Sequence, residues 1–417
     1  MPEEQRKLKL YTYRYIPKNL ALTLDQTYLM LDGTINYISF IHDYDNRRLP
    51  IIRLHIEVET KLVALLFEYA GGDGRIKFDI YEEKYDYSGD KVNTRMYMTH
   101  TWSYIPAKDK SEYLTSEDQI TEGIVDEMRT LQLFECYLID LDALNWFTKQ
   151  ISLNFRDTSK PAILQALLEM HDVPAKITIA TPPMDYGTIH DAVFPYGDLI
   201  GNITHFNDRY GIYDNIPVIY YDIFYLYIIN QLNPNVKVEI TNEYDEIVLT
   251  LLNAVRPERQ MEGSTDDPET KSHYINLKHD PVIIDVNQRK ESTRFDTITT
   301  IDKNGNVVKQ NLNEGESEST AMVYTYNYNT LSQDQVINNN LGRGRSILVR
   351  INNSCVSFLR PYKRVSFKPD TQFKDLNLEG KTFRIKGWTN SITREGGLQE
   401  TATYLNDVTM SVFEQMK

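Results

Sequence analysis

The sequence predicts a β-rich α+β protein, and three observations carry that reading. Near the C-terminus the apolar residues recur with a period of two. Ile347, Val349 and Ile351 alternate with Leu348 and Arg350, and Val365 and Phe367 alternate with Arg364, Ser366 and Lys368. Such alternation marks strands with one dry and one wet face. Gly-centred breaks at Glu379-Gly380 and Gly396-Gly397 separate the runs, so residues 345–415 read as an antiparallel meander. The 29 tyrosines, with abundant Thr, Ile and Val, also favour strands. Within the meander Phe383 and Ile385 alternate with Arg384 and Lys386, and Val408, Met410 and Val412 with Thr409 and Ser411. These five apolar residues are the candidate core or oligomer positions. A sheet this small hides its edges by closing or by docking on another copy.

Taken in order, residues 1–24 mix charge with Tyr11, Tyr13 and Tyr15 and read as an N-terminal arm packed on the body or on a neighbour. Residues 25–155 read as a first β domain. A strand-turn-strand centres on Asp32-Gly33, and Ile51 to Ile56 gives another strand. Val58, Leu62, Leu65, Leu66 and Tyr69 then fall on one helical face, which Gly71-Gly72 ends. Ile76, Phe78 and Ile80 resume the period of two. Residues 83–130 are polar and suggest a surface insertion, and residues 131–139 return to strand.

Residues 156–255 read as a middle α/β domain. Ser159-Lys160-Pro161 is a helix-entry signal, Ile163, Leu164, Leu167 and Leu168 form its apolar face, and Pro174 limits it near His171. Residues 256–342 form a polar hairpin and loop region. Asn304-Gly305 between strand-like flanks is a strong hairpin signal, and residues 311–320 have loop composition. Residues 343–417 are the second β domain. No fixed solenoid repeat is present, but a strand-rich unit both opens and closes the chain.

Bulk properties narrow the function classes. The chain has 417 residues, 41% hydrophobic and 25% charged, which fits a folded protein of two to four domains. Net charge is -14, which argues against a sequence-independent grip on nucleic acid and fits a surface that lets it pass. Cys136 and Cys355 make no CxxC and no disulfide framework, so a reducing cytoplasm is the expected compartment for folding. Met1-Pro2-Glu3-Glu4 opens no apolar signal core. Residues 216–232 carry Asp222 and Asn230 and are too short to span a bilayer, so a buried strand or helix is expected.

Catalytic and metal signatures are missing. The eight histidines form no HExxH, and His190-Asp191 and His279-Asp280 are the nearest approach to a base-orienter pair. Asp43-Tyr44-Asp45-Asn46 begins like a calcium loop but puts Arg48 and Leu54 where Gly and Glu are required. The glycines at 71, 72 and 74 lack the Lys-Ser/Thr of a phosphate loop and follow a helix, so they read as a tight turn. Leu341-Gly342-Arg343-Gly344-Arg345 is a small basic patch that could touch phosphate, but it reads better as a linker before the closing domain. Acid pairs Glu57/Glu59 and Asp140/Asp142 could serve glycoside hydrolysis, but with 59 acids such pairs arise by chance, and Asp142 is expected to cap a short helix through Leu144 and Trp146. No catalytic, cofactor-binding or metal residue is assigned.

Three stretches resemble the baseplate hub of contractile-tailed bacteriophages, the family of the T-even hub, the late-control D proteins and the first part of VgrG spikes. Residues 49–81, with Lys77 to Tyr81 closing them, look like the tail-tube fold that hubs carry twice. Ile151-Ser152-Leu153-Asn154-Phe155 with the helix at 159–168, and Tyr210-Gly211-Ile212-Tyr213 with Pro217-Val218-Ile219, are similar to the hubs' middle part. Phe383-Arg384-Ile385-Lys386-Gly387-Trp388 and the hairpin after it look like the second tube domain. Residues 83–130 and 256–342 lie outside the resemblance.

The resemblance implies two tail-tube-like β-barrel or sheet domains with a helix, and a structural, non-enzymatic virion protein of the tail baseplate. It implies a homotrimer whose six near-equivalent domains adapt a six-fold tail tube to a three-fold central spike. The implied partners are tail-tube or tube-initiator proteins and a separate spike, with genomic DNA passing through the lumen without specific binding. Another tail component, a tube-initiator or wedge protein, is the alternative, and a tail-tip cell-wall hydrolase a more distant one.

Overall fold

The computed structural model describes residues 9–24, 27–31, 33–110, 131–181, 183, 186–213, 217–230, 245–252, 262–284, 297–301, 307–311, 343–369, 371–396 and 403–415. The chain opens with β1 (Thr12–Leu24), β2 (Thr27–Met30), β3 (Gly33–Asp43), β4 (Ile51–Glu59), helix α1 (Thr60–Glu68), β5 (Gly74–Tyr85), β6 (Lys91–Pro106) and β7 (Leu131–Ile139). A mixed stretch follows: α2 (Leu141–Thr148), β8 (Ile151–Ser159), α3 (Lys160–Met170), β9 (Thr178–Ala180), β10 (Thr188–Gly197), α4 (Leu199–Tyr210), β11 (Val218–Tyr221) and β12 (Leu226–Ile229). Then come β13 (Glu246–Leu251), β14 (Gly263–Asp267), β15 (Ser272–Leu277), β16 (Val282–Ile284), β17 (Thr297–Ile301) and β18 (Val307–Asn311). The chain closes with β19 (Arg343–Asn352), β20 (Arg364–Pro369), β21 (Phe383–Glu395) and β22 (Thr403–Gln415). The fold is β-rich with few helices.

Fifteen strands share one hydrogen-bonded sheet. Two five-strand sets within it have the same order and the same antiparallel pairing. The first runs β3-β4-β7-β6-β5, the second β16-β19-β22-β21-β20. In each, the chain visits the places first, second, fifth, fourth and third. The sets differ in the link between their second and third strands, which holds α1 in the first and an irregular segment, residues 353–363, in the second. Their flanks differ too: β1 adds antiparallel to β5, whereas β13 adds parallel to β20. Tyr11 and Ser264 bring β1 and β14 together in a single bridge, with reciprocal backbone bonds of 2.9 Å. That contact is one residue pair, and no barrel closes among the described residues.

Two cores result. The larger fills the inner face of the fifteen-strand sheet, with Tyr15, Ile38, Leu54, Ile56, Ile80, Ile247, Ile347 and Phe383 at 2% exposure or less. The smaller packs α2, α3 and α4 against β8 and β10 around Ile163, Leu167, Phe194, Ile203 and Phe206. The three-stranded sheet β9-β12-β11 lies between them. Tyr220 and Ile229 face the large core, Ile219 and Ile228 the small one. All four residues of β11 and of β12 are therefore buried, which is why this part of 216–232 reads as an unbroken apolar run.

Several local expectations change. β2 and β3 do not form a hairpin about residues 32–33; β2 pairs with β1, and β3 with β4 and β21, because Ile35, Ile38 and Phe40 are wanted in the core between those strands. Residues 12–24, expected as part of an arm, form a strand laddered along β5 with Tyr15 and Leu22 fully buried. Residues 91–106, expected on a surface excursion, form β6; residues 91–96 are exposed, and the second half buries Trp102 and Tyr104. On α1 the fully buried residues are Val63 and Leu66, while Leu62 and Leu65 are half-buried. The N-cap of α2 is Asp140, whose carboxylate accepts from Ala143 N at 3.0 Å; Asp142 lies in the first turn. The hairpin β17–β18 forms as its flanks suggested, and Asn304-Gly305 itself lies outside the described residues. So do residues 1–8, 111–130, 312–342 and Gly397.

Candidate functional site

The five apolar residues singled out in the sequence lie on β21 and β22, and all are buried within the chain. Phe383, Ile385, Met410 and Val412 are at 0% exposure and Val408 at 1%. Ile385 faces Val412 across the ladder, and Trp388 faces Met410. They pack in the chain's own core, and Thr389, Ser391, Thr409 and Ser411 alternate with them on the opposite face.

The place where the two five-strand sets meet is the most specific feature of the molecule. β21 pairs with β3 from Gly387↔Asp43 to Thr393↔Tyr37. The strands touch closely at the start of this ladder. A Cβ on Gly387 would sit 2.3 Å from the His42 carbonyl oxygen, so only glycine fits. The register of β21 against β22 shifts between Ile385 and Gly387, the bulge that aims the strand at β3.

Aromatic rings seal the inner side of this joint. His42 stacks on Trp388 with centroids 4.1 Å apart, Trp388 Nε1 donates to Tyr44 Oη at 2.7 Å, and Tyr220 Oη meets His42 Nδ1 at 3.0 Å. Burial pushes the His42 imidazole down to about 3, so it is neutral at physiological pH. Tyr220 belongs to β11, so the same cluster ties the middle module to the joint.

A charged pair sits beside it. Asp222, in the turn between β11 and β12, accepts from Phe224 N at 3.0 Å and Tyr225 N at 2.8 Å, and Arg360 Nη1 lies 4.0 Å from its carboxylate. Burial raises the Asp222 pKa, against the pull of Arg360 and the two amides. Phe40, Tyr97, Met98, Leu359, Trp388 and Asn390 close a small pocket around the pair.

A second lock ties β1, β5 and β6 to the segment after β19. Tyr15 Oη donates to Glu82 at 2.8 Å and accepts from Val356 N at 2.9 Å. Arg95 donates to Glu82 at 2.7 and 3.2 Å and to Ser357 Oγ at 3.0 Å. Cys355 points at the same carboxylate, and burial pushes its thiol up to about 12. Cys136 is likewise raised by burial, so both thiols are protonated and inert.

Three of the sequence pairs weighed for chemistry carry groups that bond elsewhere. His190 meets Asp157 at 2.7 Å, across the β8–β10 ladder, rather than Asp191, and both groups are exposed. Glu57 takes Asn36 Nδ2 at 3.2 Å, Glu59 takes Lys61 at 2.5 Å, and Asp140 takes His100 at 3.0 Å. Among the described residues no group of three His, Cys, Asp or Glu is arranged to hold a metal ion. The arrangement presents strand edges, a glycine-tight joint and an outward sheet face with exposed Ile105, Leu133 and Tyr137.

Residues 13–354 match the family model described as Bacteriophage PBS1 gene 109 protein. The fold is similar to two solved tail proteins. One is the tail protein from Neisseria meningitidis MC58, with a TM-score of 0.52 and 9% identity over 96% of this chain and 97% of that one. The other is the 43 kDa tail protein of prophage MuSo2 from Shewanella oneidensis, with a TM-score of 0.50 and 9% identity over 95% and 97%. Comparison with curated proteins gives no match.

Proposed function

The chain belongs to the Bacteriophage PBS1 gene 109 protein family, and from that premise we propose that it is the hub of a tail baseplate, a structural virion component that acts as a homotrimer and not as an enzyme. The observation that carries the proposal is the repeated strand order, β3-β4-β7-β6-β5 and β16-β19-β22-β21-β20, joined through β21 and β3. Two like modules in one polypeptide let three chains present six near-equivalent units. Such a ring matches a six-fold tube on one side and a three-fold spike on the other, with subunits related by a closed rotation. Each module here is a tail-tube-like domain, and the middle module between them supplies the three-fold features. DNA passes through the ring; the net charge of -14 and the hydroxyl-bearing outward row of Thr389, Ser391 and Thr409 favour passage over grip.

The test is mass in solution by light scattering, with particle images taken alone and with candidate tube and spike proteins. A three-fold ring is expected. A monomer that stays single at high concentration and with those partners present would sink the hub reading.

A further inference from the structure

The internal joint makes a demand on the outer ends of the sheet. In the second module β20 pairs with β21 only as far as Ile385's neighbourhood, and β3 takes over the same side from Gly387 onward. In the first module β5 occupies the corresponding side of β6 up to Trp102. Beyond it, residues 103–106 pair with β7 on one side and, among the described residues, with no strand on the other. Gly71 N donates to Tyr104 O at 3.3 Å there, so the edge is partly capped and its exposed feature is a side chain, Ile105, half out in solvent at 50%. At the end of the branch β21-β22-β19-β16, β16, the counterpart of β3, pairs with β19 and, among the described residues, with nothing else. It carries Val282 at 60% and Ile284 at 46%.

These apolar residues share a face. Ile105 faces Tyr137, Tyr137 faces Arg53, and the row runs on through Ser39 and Ser391 to Asp407. Val282 faces Leu348, which alternates with the buried Ile347 and Val349 and so points the same way as Arg350, itself bonded to Asp407. Six strands separate β6 from β16 along the sheet, so one chain's ladder does not bring them together. Unpaired edges carrying exposed aliphatic side chains recruit another strand.

We propose that neighbouring copies of this chain join head to tail, the β6 end at Ile105 of one meeting β16 at Val282 and Ile284 of the next, in imitation of the internal β3–β21 joint. The occupant is a second copy because the chain already contains the pattern of the contact. In each joint the first strand of one module meets the fourth strand of another. This specifies the contact in the trimer proposed above and rests on that reading. A head-to-tail contact needs two unlike, complementary patches, whereas a two-fold contact would need one, and the β6 and β16 edges are unlike in this sense.

Two single-cysteine variants test it, Ile105→Cys and Ile284→Cys, mixed in equal amounts under mild oxidation. The native thiols are buried and protonated and do not compete. The mixture is expected to give a covalent dimer, and either variant alone only monomer. A dimer from one variant alone would indicate a two-fold contact and overturn the proposal. No dimer from the mixture, while the unmodified protein runs as a trimer, would also overturn it and leave the trimer standing. Unmodified protein that remains monomeric under the same conditions would remove the trimer and this joint together. As a second arm, Ile105→Asp should keep the parent's circular dichroism spectrum, since the site is half-exposed, yet lose the trimer; retention of the trimer counts against the joint.

Discussion

Gly387 is the residue on which the sheet turns from one module to the other. Its missing Cβ leaves room for the His42 carbonyl, and a valine there would drive a methyl-bearing carbon to 2.3 Å of backbone oxygen. Backbone cannot swing aside as a flexible side chain can, so Gly387→Val should cost at least the 1–3 kcal/mol usual for overpacking, roughly the top of that range or beyond. Thermal melting or soluble yield would read the loss, and a variant with parental melting would show that the strands can part. His42, on the facing strand, carries a second prediction. Burial lowers its pKa to about 3, whereas the unfolded imidazole titrates near 6.5. Between those values the unfolded chain binds the extra proton, so acidification favours unfolding. Stability should be level above about pH 7 and fall from about pH 6.5 downward, by up to ~1.4 kcal/mol per pH unit for this one group. His42→Gln should flatten that part of the profile; an unchanged slope would mean that other groups cause it.

At the level of the element, helix α1 gives a sharp contrast. Leu66 is fully buried and Leu65 half-buried on the same nine-residue helix. Leu66→Ala should cost about 2–5 kcal/mol and Leu65→Ala distinctly less, measured by denaturant midpoints at constant slope. The cap of α2 offers a parallel case. Asp140→Ala removes the acceptor for Ala143 N together with the partner of His100 and Tyr221, and should cost more than the about 1 kcal/mol of a cap alone, whereas Asp142→Ala removes only a first-turn charge, worth roughly 0.3–1 kcal/mol. Both helices had been legible in the sequence, but their phase was off by one or two residues. The reason is physical: a helix of eight or nine residues has little more than two turns, and the strands bound to its ends, not its own periodicity, choose the buried face. The same limit governs the strands. Alternation correctly assigned inward and outward faces to β19, β21 and β22, and Pro161 and His171 correctly bracketed α3. Alternation says nothing about which strand lies alongside. The joint of Gly387 with Asp43 links residues far apart in sequence, so neither it nor the β1–β2 pairing that displaced the hairpin at 32–33 could be read locally.

At the scale of the whole molecule, two cores meet along one thin sheet, β9-β12-β11, and the Asp222–Arg360 pair stands at the seam. Arg360 comes from the link between β19 and β20, Asp222 from the turn between β11 and β12, so the pair couples the second sheet module to the middle module. Removing the guanidinium leaves a carboxylate buried at 5% exposure, held by the Phe224 and Tyr225 amides and the Tyr227 hydroxyl but without a counter-charge beside it. Breaking such a pair costs about 3–5 kcal/mol, and the 4.0 Å separation puts Arg360→Met at the lower end, about 3 kcal/mol. Replacing both partners with uncharged residues of similar shape, Asp222→Asn with Arg360→Met, should recover most of that loss, because the stranded charge is the main penalty. The readout is the shape of the melt as well as its midpoint. With the seam intact the two cores should unfold together, and with Arg360 alone removed the middle module should come away in an earlier transition. Should the single and double variants melt alike, the pair contributes no coupling, and uncharged contacts such as those of Tyr220 with His42 and Tyr44 and of Phe224 with Tyr97 hold the modules together.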